Sequence, residues 1–405
     1  MGASMTNLQY PGWLPKAALL VTTWIASSSP AQLPAQKIRV ATFNVSLFRS
    51  NAEQLVRELD KRDSQQPQQI AEILQIVRPD IVLLNEVDFD REGKAVRRFQ
   101  QNYLEVPQNG RKAIHYEHTF IPQVNTGIPS SLDLDNDGKT NGPGDAFGYG
   151  KFPGQYGLVV LSKYRIDSRR TRTFQKFLWK DMPGALLPRQ ADDQPYYSPE
   201  ETSRFRLSSK NHCDVVIRLT PTTDFHFLVS HPTPPVFDRE EDRNGRRNHD
   251  EIRFWNDYIS PSRSKYIYDD QGVRGGLAGD SLFVIAGDLN ADPHDGDSTN
   301  QPIRKFQENR RVNFEVKPKS SGALEASRRG KANHDQRGDP ALDTADFNDN
   351  TVGNLRIDYV LPSKGWHVHS SGVFWPESGN PDSRLLKASD HRLVWVDLES
   401  EKGDR

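Results

Sequence analysis

The 405-residue sequence has one cysteine, Cys213, so no intramolecular disulfide can form. No nucleophile motif surrounds it. It precedes the apolar run "DVVIRL" and reads as a small strand residue near the core. An excess of one charge is also lacking, with 53 basic side chains against 54 acidic ones. That balance excludes the global basic field of many duplex-binding proteins, so any nucleic-acid contact would need a local patch. Clustered Cys and His are absent, which argues against a structural zinc. Long hydrophobic runs are missing too. The stretch "AALLVTTWIA" at 17–26 is too short to span a bilayer as a stable helix, and no later segment approaches that length.

What stands at the N-terminus is an ordered pattern. Lys16 precedes that apolar stretch, and "SSSPAQLPAQ" at 27–36 follows with small residues and prolines. Charge, apolar run and small residues in this order make a secretory signal. Residues 1–36 are therefore expected to be a signal peptide and short leader, removed near 26–36. The protein would then be secreted or periplasmic, with no transmembrane segment after signal removal. A retained short anchor and a disordered leader are the alternatives.

From residue 37 the pattern becomes globular, and 37–405 is expected to be one domain. "KIRVATFNV" reads as a strand ending at Asn44, and "QQIAEILQIVRPD" as a helix with Ile70, Ile73, Leu74 and Val77 on one face. "DIVLLNEV" is a nearly continuous apolar strand ending at Glu86. The grammar repeats as "DFHFLVSH", ending at His231, then the helix "HDEIRFWNDYI", then "SLFVIAGDLN", ending at Asp288. Two strand–helix–strand units predict a layered α/β fold with two related halves. The polar, Pro/Gly-rich stretches 122–156, 180–210, 231–248 and 317–353 are expected to be surface loops.

Polar residues collect at the apolar strand ends: Asn44, Glu86, His231, Asp288, Asn290, Asp358, Asp390 and His391. Carboxylates beside a core are costly unless a cation or hydrogen bonds compensate them. An oxygen-rich set suits a hard cation such as Mg2+ or Mn2+, with Ca2+ a further candidate. The His and Asp residues suit proton transfer, and Asn can donate to a developing negative charge. Within "GDLN", Gly287 is expected to break the strand and give Asp288 and Asn290 room. Spaced two apart on an extended segment, both would project to one side. The competing reading is an ordinary Asx turn.

The ordered motifs "TFNV", "DIVLLNEV", "LVSHPTPP", "GDLNADP", "RIDYVL" and "SDHRLV" resemble those of the endonuclease/exonuclease/phosphatase superfamily over roughly 37–399. That is the fold of deoxyribonuclease I, the abasic-site endonucleases, neutral sphingomyelinases and inositol-polyphosphate 5-phosphatases. The resemblance implies a four-layered sandwich of two mixed β-sheets flanked by helices, acting as a metal-dependent phosphoester hydrolase. It also implies roles. Glu86 would be the principal metal ligand, with Asn44 and Asp390 helping to hold the metal or its waters. Asp288 would orient or deprotonate the attacking water, and Asn290 would hydrogen-bond the phosphoryl oxygens. Asp358 would fix the tautomer of His391. His231 would contact the phosphate or serve as the acid for the leaving oxygen. His391 and Asp288 both stand as candidate general bases.

Two positions depart from the family pattern. Asn85 stands where Gln usually precedes the metal-binding Glu, and Ser46 where abasic-site endonucleases carry Asp. The second departure, with the export signal, weakens a DNA-repair reading. The functional expectation is hydrolysis of a small phosphoester or a phospholipid headgroup by a monomer. The alternatives are an extracellular nuclease, for which nucleic acid would be the partner, and a non-catalytic binding module. "DLDNDGKTNGPGD" places Asp133, Asp135 and Asp137 like the first half of an EF-hand loop, but position twelve is Gly144 rather than Glu. A second, structural Ca2+ at Asp133, Asp135 and Asp137 competes there with a solvated Asx-rich loop, which is preferred. Arg239, Arg243, Arg246 and Arg247 could grip a polyanion, but the interleaved Glu240, Glu241 and Asp242 favour a self-paired loop.

Overall fold

Period-two alternation builds the first strand. Ile38 and Val40 face one layer while Ala41, Phe43 and Val45 face another. The computed structural model describes residues 37–400, with Met1 and Gly12. The expected signal and leader otherwise lie outside the described residues. The chain divides into Met1–Pro34 and Ala35–Arg405, and the fold below belongs to the second unit.

Chain order runs β1 (Lys37–Leu47), α1 (Gln54–Leu59), α2 (Gln65–Val77), β2 (Ile81–Val87), α3 (Lys94–Phe99), β3 (His118–Phe120), β4 (Gly157–Ser162), β5 (Arg165–Ile166) and β6 (Arg172–Thr173). It continues with α4 (Pro199–Arg204), β7 (His212–Arg218), β8 (Asp224–Ser230), α5 (Arg243–Tyr258), β9 (Phe283–Asp288), α6 (Arg304–Glu308) and α7 (Ser321–Ser327). The last strands are β10 (Ala345–Asp346), β11 (Asn354–Leu355), β12 (Asp358–Pro362), β13 (Trp366–Val373) and β14 (Val394–Ser400). One sheet has the order β13-β14-β1-β2-β4-β3, and the other β12-β9-β8-β7-β5 with β6 also on β7. Each sheet is mixed. Its parallel pair, β1 with β2 or β8 with β9, is bridged by a helix, as a parallel connection requires.

The layers follow from which faces are apolar. Val40 and Leu83 of the first sheet pack against Val229, Val284 and Ala286 of the second. The outer face of the first sheet, with Phe43 and Leu84, takes Leu55, Ile70, Leu74 and Val96 from α1, α2 and α3. The outer face of the second, with Leu228 and Ile285, takes Ile252, Trp255 and Tyr258 from α5. The result is the expected four-layered sandwich. Helix α2 stops where Arg78 turns left-handed and its N–H meets Leu74 O at 2.8 Å, just before Pro79, which cannot continue a helix.

Boundaries differ from the sequence reading at several points, and β1 runs on to Leu47 instead of ending at Asn44. Helix α5 starts at Arg243, inside the stretch expected to be loop. The stretch 180–210 contains α4, started by Pro199 and a capping box between Ser198 and Glu201, and 317–353 contains α7, capped by Ser320. Gly287 does not break its strand, because β9 continues to Asp288. A Cβ at 287 would lie 2.0 Å from Ser230 O. The glycine is there because β8 comes too close for a side chain. Among the described residues, no helix is long and apolar enough to cross a membrane.

Candidate active site

The inner-face alternation carries polar groups to one pole of the sandwich. On β9, Val284 and Ala286 are followed in the same phase by Asp288, and on β12 Asp358 precedes Val360. On β1, Val40 is followed in phase by Asn44. Asn44 Nδ2 donates to Asp288 Oδ2 at 3.0 Å, tying the two sheets together. Asp358 lies opposite Asp288 in the β9–β12 register. By phase, Glu86 would point with Val82 and Leu84 into the helices. Instead the register slips between Asn85 and Val87, and Glu86 takes φ 63°. This bulge re-aims the carboxylate to the pole, at a left-handed cost of roughly 1–2 kcal/mol.

Both histidines converge on one oxygen. His231 Nε2 lies 3.3 Å from Asp288 Oδ2 and 4.0 Å from Glu86 Oε1, and its Nδ1 is buried without a partner. His391 Nε2 lies 3.7 Å from the same Asp288 Oδ2. Its Nδ1 is 2.9 Å from Asp358 Oδ2, which also accepts from Thr344 Oγ1 at 2.9 Å. Asp358 thus orients the imidazole and leaves Nε2 facing the cavity. Burial lifts the Glu86 and Asp288 carboxyls above their usual range, against the pull of His391. Burial pushes His231 well down. At His391 burial works the same way, but the Asp358 and Asp288 carboxylates override it and raise the ring to about 10.

Ligand atoms of Glu86, His231 and Asp288 all lie within 4.8 Å of one another, as do those of Asp288, Asp358 and His391. The half-buried Glu86 and the buried Asp288 carboxylates, held above their normal pKa beside a neutral imidazole, fit a hard divalent cation, which would favour their ionised forms. Of the other expected metal-holding residues, Asn44 is committed through its amide to Asp288, and its Oδ1 accepts Ser46 N–H at 3.2 Å. Asp390 is exposed on the cavity rim, near Ser46 Oγ at 3.4 Å, and belongs to neither cluster. Asn290 is not extended as expected, but left-handed at φ 51°. Its N–H donates to Asp288 Oδ1 at 2.9 Å and its Nδ2 to Pro232 O at 3.1 Å. The Asx turn and the platform are therefore the same feature, since both residues line the cavity.

That cavity, about 1130 Å³, opens on Glu86, His231, Asp288, Asn290 and His391. Its wall includes Phe48 and Tyr156, whose ring centroids are 4.6 Å apart, and its rim the exposed Tyr149, Phe237 and Val352. Among the lining residues that escaped the sequence reading is a charged one, Lys210, buried at 7% exposure. Burial lowers its pKa, against the attraction of Glu251, Glu86 and Asp288. The signal was present, but at the start of a strand rather than its end. Strand β7 is antiparallel to β8 and pairs His212 with Ser230, so residues before β7 lie beside residues after β8.

Two neighbouring features resolve differently. Asp133 and Asp135 come together with Asp145, not Asp137, within 4.8 Å. Asp137 instead accepts the Lys139 N–H at 2.8 Å, because Asp133 closes the turn on the Asp137 and Gly138 N–H groups. Among the described residues, the arginine-rich segment is self-paired only at Arg243 and Arg246. Arg243 reaches Tyr196 Oη at 2.8 Å and Glu241 at 3.2 Å, and Arg246 lies 3.8 Å from Asp242. Arg247 is buried on the carbonyls of Leu207, Phe147 and Arg206.

Two mixed sheets flanked by helices, with carboxylates and histidines clustered at one pole, define an α/β sandwich of the deoxyribonuclease I type. The family model described as the Endonuclease/Exonuclease/phosphatase family matches residues 41–391, and the chain belongs to that family. Similar solved structures include an endonuclease/exonuclease/phosphatase from Beutenbergia cavernae DSM 12333, at 17% identity and TM-score 0.49, covering 91% of this chain and 72% of that one. A family protein from Bacteroides thetaiotaomicron shows 14% identity and TM-score 0.46, covering 91% and 99%. Sphingomyelinase C from Streptomyces griseocarneus shows 14% identity and TM-score 0.45, covering 89% and 99%. No curated protein matches the chain by sequence.

Proposed function

We propose that the chain is a divalent-metal-dependent phosphoester hydrolase, a phosphodiesterase or phosphatase acting on a small phosphoester or a phospholipid headgroup. The observation that carries this reading is the convergence of Glu86, His231 and Asp288 within ligand distance at the floor of one cavity. A bound Mg2+ or Mn2+ would neutralise phosphate charge and lower the pKa of water. Glu86 and Asp288 would hold it, with Asn44 acting through Asp288 and Asp390 through the metal's waters. Asp288 orients the attacking water. His391, fixed through Nδ1 by Asp358, presents Nε2 to the reacting oxygens, and Asn290 donates to the phosphoryl group. His231, neutral through burial, contacts the phosphate.

The cavity favours a small ester or headgroup over a polynucleotide. Arg243 and Arg247 are spent on internal partners, so they offer no free track for a phosphate backbone. The rim adds the exposed apolar side chains of Tyr149, Phe237 and Val352 beside the acidic Asp390. The binding-module reading is weaker, because every expected catalytic position carries a competent group. The test is a panel of diesters, monoesters, plasmid DNA and sphingomyelin, each with EDTA, Mg2+, Mn2+ and Ca2+. Glu86→Gln should fold as wild type and lose most activity. Unchanged turnover in that variant, or in excess EDTA, overturns the reading.

Export belongs to the same proposal, since the charge, apolar run and small residues before Lys37 support it. Mass spectrometry of the secreted or periplasmic fraction should find a new N-terminus within 26–36. Soluble cytoplasmic protein that keeps an intact Met1 or Met5 would refute export.

A further inference from the structure

Lys210 is the least explained group in the cavity. It stands two residues before β7, buried, yet lines the same space as Glu86, Asp288 and Asn290. A buried ammonium needs compensation by an anion or by hydrogen-bond acceptors. Lys210 Nζ has neither in full. Its one hydrogen bond is a long contact of 3.4 Å to Pro232 O. Among the described residues, no carboxylate oxygen comes within 4.0 Å of it.

A purely structural role would make Lys210 the counter-charge of Glu251, the buried carboxylate of α5. Glu251 is already satisfied, accepting Ser209 N–H at 2.6 Å, Ser209 Oγ–H at 2.9 Å and Thr233 N–H at 2.8 Å. Those bonds fix the two loops that flank Lys210 without using it. The acceptor that Lys210 does use is informative. Pro232 O also takes the Asn290 amide, at 3.1 Å, so an ammonium and an amide NH2 stand side by side on one carbonyl. Lys210 has three donors and a single weak partner.

We propose that Lys210 is a phosphoryl-binding residue, donating with Asn290 to a non-bridging oxygen of the bound phosphate. This rests on the phosphoesterase reading of the site. The phosphate completes the coordination of a buried ammonium that the protein leaves short of acceptors. A fixed cation beside those oxygens stabilises the charge that gathers on them at the transition state. Lys210 touches substrate and transfers no proton, so no bond to it forms or breaks.

The experiment is titration of inorganic phosphate into the Mn2+-loaded wild type, Lys210→Met and Lys210→Arg, followed by calorimetry. Lys210→Met should bind phosphate at least about 10-fold more weakly, and Lys210→Arg should recover part of the loss, as guanidinium also donates to phosphate. Mn2+ affinity and thermal midpoint should stay close to wild type in both. Where Lys210→Met fails to fold, Lys210→Gln carries the same comparison. Phosphate affinity equal to wild type in a folded variant, or no phosphate binding by the wild type, overturns the proposal. Phosphate binding that depends on Lys210 in a protein hydrolysing no ester would instead sink the phosphoesterase reading and leave this site standing.

Discussion

At Asp288 a single carboxylate oxygen faces Asn44 Nδ2, His231 Nε2 and His391 Nε2. Its chemistry is set by the neighbours rather than by Asp288 alone. The most separable of them is His391, which answers to Asp358. If Asp358 acts only by orienting that ring, replacing either residue by Ala should cost on the order of 10²–10⁴-fold in kcat/KM. The double variant should lose little more than the worse single one. Fully multiplicative losses would show that the two act independently. The residues were legible in sequence because strand ends carrying polar groups stand out against apolar runs. Their orientations were not. Glu86 reaches the pole only through a left-handed bulge, and pairing across strands is invisible in one chain. Lys210 was missed for a related reason, since its place depends on antiparallel β7 lying beside β8.

Elements were legible where periodicity was strong. The apolar runs marked β1, β2, β8 and β9 as strands, and α2 and α5 bury the helical faces carrying Ile70, Ile73 and Leu74, and Ile252 and Trp255. Boundaries failed where side chains, not periodicity, decide them, as with the capped α4 and α7. Gly287 is the instructive case, because its cause is a neighbour rather than its own segment. Its φ of 152° lies where side chains are strained, and a methyl group would meet Ser230 O. Gly287→Ala should therefore push β8 from β9 and destabilise the fold by roughly 1–3 kcal/mol. Turnover per folded molecule should fall as well, since His231 and Asp288 leave from those two strands. Urea unfolding reads the first effect and active-site titration the second. An unshifted midpoint would show that the strands yield easily.

Across the whole molecule, acidic groups crowd beside the active pole. Asp343 is buried with an unpartnered Oδ2. Burial, then Asp292, Asp295 and Asp339, raises it to about 8. A carboxyl raised on folding contributes stability that is full below its unfolded pKa of about 3.9 and is lost as pH rises through the folded value. Asn cannot ionise and suffers no such loss. Asp343→Asn should therefore gain in melting temperature over wild type as pH rises from about 4 to about 8, with a constant gap above that. A pH-independent gap would mean that Asp343 does not titrate in this window. The strand–helix–strand pattern foretold a layered α/β fold with two related halves, while the four-layered sandwich was implied by the family resemblance.

The antiparallel register that seats β14 on β1 places Glu399 opposite Lys37. Neighbouring strands lie about 4.8 Å apart, so the described fold, residues 37–400, nearly closes into a ring, and its linear order is one way of cutting that ring. A linker joining 400 to 37, with the chain reopened in the exposed 191–194 turn, would leave every strand pairing in both sheets intact. Circular permutation thus offers a way to move the chain ends around the sandwich without touching the groups at its pole.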